Sequence, residues 1–117
     1  MKAFFFIYFL ILTKGIAQDK FLGVWVNLSN KEEIEIYKID GLYYAKTLNK
    51  LDTINVLDQM IYKSDKKLYG GTYFYDKVNE EFEAIVRLLD ENKLMIKLVK
   101  GIGILNEKIF FKRKIIE

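Results

Sequence analysis

The chain has 117 residues, with nineteen Lys and Arg against sixteen Asp and Glu, and no Cys, His or Pro. That length fits one domain and excludes a multidomain enzyme. The missing Cys and His exclude disulfides, thiol nucleophiles and sulfur metal sites, and they remove the side chain best suited to proton transfer near neutral pH.

Met1-Lys2 is a positive start, residues 3–12 are an unbroken apolar run, and the small residues Gly15 and Ala17 stand at −3 and −1 before Gln18. This is the layout of a secretory signal peptide over 1–17, cleaved after Ala17. The apolar run is about half of the roughly 20 residues that a membrane-crossing helix needs, which argues against a retained anchor. Cleavage leaves a single domain, 18–117, with seventeen basic and sixteen acidic side chains. A net charge of +1 with the signs mixed is no footprint for nucleic acid or an anionic membrane. The expected product is exported, to the periplasm or out of the cell. With no disulfide to add its typical stabilisation of about 2–4 kcal/mol, packing alone must hold the fold.

Beyond the leader, apolar and polar residues alternate over short runs separated by Gly, Asn and Asp, the pattern of strands rather than helices. Eight strands are expected, at 21–28, 33–39, 42–48, 56–62, 68–75, 81–89, 93–100 and 107–114. The stretch 52–62 reads equally well as a helical turn. Eight strands on short connections imply an all-β, antiparallel up-and-down barrel, which removes the exposed edges of an open sheet.

Two hairpins can be worked out residue by residue. Asp40-Gly41 suits a type I′ turn, which needs positive φ at both positions. It pairs Ile39 with Leu42, Tyr37 with Tyr44 and Glu35 with Lys46 on a solvated face, turning Ile34, Ile36 and Ala45 inward. A three-residue loop, Asp90-Glu91-Asn92 with Asn92 left-handed, puts Phe82, Ala84, Val86, Leu88, Leu94, Ile96 and Leu98 on one inner face. A slip of one residue would bury charge there. The outer face of this hairpin retains Ile85, Leu89, Met95 and Val99, either ordinary exposed apolar residues or a surface for a partner or a dimer.

In the last strand Lys108, Phe110, Lys112 and Lys114 share one parity, so Arg113 turns inward. A lone inward cation is costly unless something receives it, and the indole of Trp25 is the natural recipient. Gly23-Val24-Trp25 on the first strand together with Arg113 on the last resembles the structural signature of lipocalin-like (calycin) barrels, in which Trp and Arg close one end. Residues 21–25 (FLGVW), 34–47 (IEIYKIDGLYYAKT), 70–76 (GGTYFYD) and 111–113 (FKR) resemble a bacterial family of small exported proteins known only as a domain of unknown function. Ala45, Lys77 and Phe111 stand where that family commonly has Gly, Pro and Trp. The resemblance implies a calycin-like barrel and export, and no known reaction.

Carboxylates are the remaining acid–base equipment. Glu32-Glu33-Glu35 and Glu80-Glu81-Glu83 lie at strand starts or on outward parity, where solvation explains them, and catalysis would need burial to raise a pKa. Asp52, Asp58, Asp65 and Asp76 lack the spacing of a calcium loop. Ser29 and Ser64 have no His to activate them. Gly70-Gly71 and Gly101-Ile102-Gly103 lead into no helix and fit strand bends better than phosphate loops. No enzyme, metal site or cofactor is expected. Tyrosines concentrate in the middle strands, and a barrel of eight strands either fills with side chains or holds one small ligand. Lys38 and Tyr43 near a mouth, with Tyr73 and Tyr75 on the facing strand, form the candidate pocket for a small apolar or amphipathic ligand inside the barrel. The rival reading is a filled barrel serving as a structural or interaction module of the cell envelope.

Overall fold

The computed structural model describes residues 19–99 and 107–115. The expected signal peptide, Lys100 and Gly101-Ile102-Gly103 lie outside the described residues. Nine strands follow in chain order: β1 (Gly23–Asn27), β2 (Glu33–Ile39), β3 (Leu42–Thr47), β4 (Asn55–Ser64), β5 (Lys67–Tyr69), β6 (Thr72–Tyr75), β7 (Glu80–Asp90), β8 (Lys93–Val99) and β9 (Lys108–Arg113). All pairings are antiparallel between neighbours, and β3 with β4 and β1 with β9 close the ring. β5 and β6 occupy a single position, each pairing with β4 on one side and β7 on the other. The result is an eight-position closed barrel, with no helix among the described residues.

The first hairpin has the expected register, Ile39 opposite Leu42 and Glu35 opposite Lys46, around a turn with Asp40 at φ 51° and Gly41 at φ 84°. Its wet face carries a stacked Tyr37–Tyr44 pair and the Glu35–Lys46 ion pair. The second hairpin keeps the expected inner face, all seven residues at most 6 % exposed, but the turn differs from expectation. Leu88 pairs with Leu94 and Asp90 with Lys93, so a bulge at Leu89 absorbs the extra residue and the turn is Glu91-Asn92. Asn92 is not left-handed; its N–H instead donates to the Asp90 carboxylate at 2.7 Å. An Asx turn does what a left-handed Asn was expected to do.

The outer apolar stripe is not a continuous exposed band. Leu89 is half exposed, Ile85 and Val99 are partly covered, and Met95 is buried, flanked on the sheet by Arg87 and Phe110.

The fifth expected strand, 68–75, breaks at Gly70-Gly71, and the cause lies on β4. Gln59 sits at φ 55° in a bulge that places Leu57 and Met60, three residues apart, both inward. This makes 55–62 strand, with 52–54 in the preceding connection, and explains the helix-like spacing. The bulge presses its backbone onto Gly71, where a Cβ would lie 2.2 Å from the Asp58 carbonyl oxygen. Gly71 still ties the break to β7, its carbonyl accepting from Ala84 N–H at 3.0 Å. Gly71→Ala therefore forces backbone apart, at an expected cost of about 1–3 kcal/mol. Thermal denaturation should show a melting point several degrees lower; an unchanged one would contradict the close approach.

Candidate functional site

The two ends of the barrel differ in their connections. One end carries two-residue turns, 40–41, 65–66 and 91–92, and the entering segment 19–22. The other carries the longer links 28–32, 48–54 and 76–79 and the β8–β9 connection, of which only Glu107 is described.

At the short-turn end, Trp25 and Arg113 are cross-strand partners on β1 and β9, and the guanidinium carbon lies 4.3 Å from the indole centre. Arg113 donates from Nη1 to the Leu22 carbonyl (3.0 Å), from Nη2 to Lys20 (2.6 Å) and from Nε to Glu91 (3.0 Å). The Trp25 indole N–H donates to the Phe21 carbonyl at 3.0 Å, and Trp25 is fully buried. Gly23, at φ 129°, makes this possible, since a Cβ there would meet Arg113 Nη1 at 3.0 Å. Burial lowers the Arg113 pKa from its ordinary value, against the opposing pull of Glu91.

Lys38 and Tyr43 belong to the same closed end. The Tyr43 hydroxyl donates to Asp19 at 2.5 Å, Lys38 pairs with the same carboxylate at 3.1 Å, and the Lys38 ammonium lies 5.2 Å from the Tyr43 ring centre. Phe21 packs edge-on against Tyr43. These two residues form part of a plug rather than a mouth, which corrects the expected grouping with Tyr73 and Tyr75. Asp19, which holds the plug, was invisible in the sequence because it adjoins the leader and obeys no strand parity.

The middle of the barrel is filled. Trp25, Ala45, Leu57, Met60, Leu68, Ala84, Val86, Leu94, Ile96 and Leu98 are fully covered. A void wide enough for one water molecule beside any of them would leave part of its surface accessible. The expected pocket inside the barrel is thereby corrected: among the described residues the middle leaves no room for a ligand.

That end holds a cleft of about 360 Å³ with Tyr73, Tyr75, Ile109 and Phe110 along one part and Asn27, Asn30 and Glu32 along another. The rim is prearranged by hydrogen bonds. Asn27 accepts at Oδ1 from Ser29 N–H (2.8 Å) and Asn30 N–H (3.3 Å), while Asn30 accepts from Glu32 N–H (2.9 Å). Glu32 pairs with Lys50, and the Tyr75 hydroxyl donates to Glu107 at 3.2 Å. Asp76, Lys77 and Lys108 are exposed at the edge. Among the described residues no cluster of carboxylates has the arrangement of a metal site. Burial pushes the Tyr73 phenol well above the usual tyrosine range, with the charges of Asp76 and Glu32 adding to the effect. Tyr73 and Tyr75 are thus brought together as expected, while Glu32, Asp76 and Glu107 join them from three different connections. Their sequence separation hid that meeting.

No protein-family model matches the chain, and no curated protein does. Among solved structures it is similar to protein HP1028 from the human pathogen Helicobacter pylori, described as belonging to the lipocalin family. The TM-score is 0.67 at 13 % sequence identity, over 80 % of this chain and 82 % of that one. At that identity the likeness is one of fold alone, and the fold is a lipocalin-like antiparallel barrel.

Replacing Trp25 with Ala should cost about 3–5 kcal/mol, the usual loss for a fully buried Trp. Arg113→Met should change the Trp25 emission spectrum, and an unchanged spectrum would contradict the stacking. Alkali offers a second test of the plug. Burial and the bond to Asp19 raise the Tyr43 phenol well above its ordinary value. A raised folded-state pKa gives stability that is complete below the unfolded phenol value of about 10 and declines above it. Melting curves should show a loss above that pH that is smaller in Tyr43→Phe.

Proposed function

We propose that this chain is a binding protein that seats one small amphipathic molecule in the open-end cleft. The observation that carries the reading is the cleft itself, about 360 Å³ at the end of the barrel that no plug closes among the described residues. That volume is within the range of small-molecule sites, roughly 300–1,000 Å³, and its lining combines aromatic and aliphatic surface with a few placed polar groups. Small eight-stranded barrels hold at most one such ligand, and the filled middle here limits it to a short chain or a single ring system. The groups around the cleft support binding rather than catalysis. Glu32 and Glu107 are paired, Asp76 is solvated, and a chain without His or Cys offers no activated nucleophile.

The resemblance to a bacterial family of exported proteins belongs to the same reading. The protein works after export, in the periplasm or outside the cell, with the 1–17 leader removed.

The test is an NMR titration of isotope-labelled protein with 4-butylphenol, an uncharged probe with a single ring, a short apolar chain and a polar head. Amide shifts should concentrate at 27–32, 73–77 and 107–110. Shifts confined to the plug around Asp19, Lys38 and Tyr43, or none at saturating probe, would sink the reading.

A further inference from the structure

Tyr73 is more than nine-tenths buried, at 7 % exposed, and it sits on β6 opposite Leu57 and Phe82. The hydroxyls of Tyr43, Tyr62 and Tyr75 donate to Asp19, Asp65 and Glu107. That of Tyr73 bonds to nothing among the described residues. Yet no side-chain polar atom of these residues is both fully covered and unpaired. The Tyr73 hydroxyl therefore keeps an opening, and the opening is the cleft that Tyr73 lines. For packing alone a Phe would serve better, because an unmatched hydroxyl at a buried position is destabilising.

We propose that the Tyr73 hydroxyl anchors the bound molecule, donating a hydrogen bond to an uncharged oxygen acceptor such as an amide or ketone carbonyl. The inference rests on the cleft being the binding site and adds the ligand's chemical class. Three observations select a neutral acceptor. The phenol is held protonated by burial and by the charges of Asp76 and Glu32, so it acts as a donor. Those same negative charges oppose a carboxylate or phosphate at this point. The cleft lining carries three carboxylates, Glu32, Asp76 and Glu107, against two cations, Lys77 and Lys108, and Lys50 outside it is engaged by Glu32. An ammonium could only donate to the phenol oxygen, and the burial of Tyr73 disfavours bringing its charge there.

Two probes of equal chain length, octanamide and octanoate, separate these possibilities. In NMR titrations at neutral pH the amide should bind the wild-type protein about tenfold more tightly than the carboxylate. Tyr73→Phe keeps the ring and removes only the hydroxyl. It should weaken the amide about five- to tenfold and leave the carboxylate unchanged. The ligand-free variant should melt at the wild-type temperature or above it. Equal amide affinity in Tyr73→Phe, or a carboxylate that binds as well as the amide, overturns the anchor and leaves the cleft reading standing. A lower melting point in the ligand-free variant overturns it too, since the hydroxyl would then be holding the barrel. If the 4-butylphenol titration leaves the cleft residues unshifted, the cleft reading falls and takes the anchor with it.

Discussion

The guanidinium of Arg113 on the indole of Trp25 is the contact on which the rest of the barrel depends. An inward cation on a closed sheet is unfavourable unless its charge and its N–H groups are received. Here the ring receives the charge, and the carbonyls of Lys20, Leu22 and Glu91 receive the hydrogens. One side chain from the last strand thus fastens the entering segment, the first strand and the β7–β8 turn at a single point. The requirement reaches back to Gly23, whose missing Cβ leaves room for the guanidinium. With Asp19 drawn onto Tyr43 and Lys38, that end is shut.

Closure at one end assigns access to the other. Two-residue turns give little surface from which to build a site, whereas the longer connections bring Asn27, Glu32, Asp76 and Glu107 around the rings of Tyr73 and Tyr75. The rings and aliphatic residues that fill the interior leave a cleft at the mouth rather than a deep cup. A filled barrel and an open cleft, which looked like alternatives in the sequence, occupy different levels of one molecule.

How much was legible in the sequence followed from which rule each segment obeyed. Period-two alternation and a strong turn pair gave the inner faces of β2, β3, β7 and β8 residue by residue, because a slip of one would bury charge. The parity of the lysines in β9 was enough to turn Arg113 inward. β4 failed the rule because the Gln59 bulge consumes a residue, so Leu57 and Met60 both face the core at a spacing that also suits a helix. The β7–β8 turn was misjudged for a related reason: a bulge at Leu89 preserves the register as well as a longer loop does. Of the four residues expected to line a pocket, Tyr73 and Tyr75 share the mouth, and Lys38 and Tyr43 were grouped with them wrongly. Parity tells which face a side chain takes and says little about the height at which it sits.

Pairing β1 with β9 has a consequence for the order of events during synthesis. A contact between positions 25 and 113 joins the first strand to the last, and such distant contacts are the slowest to form. A growing polypeptide that lacks β9 holds an uncovered tryptophan and two unpaired sheet edges. The barrel is therefore a fold that can close only once β9 has been made, and a product cut short before β9 would remain sticky rather than merely weakened.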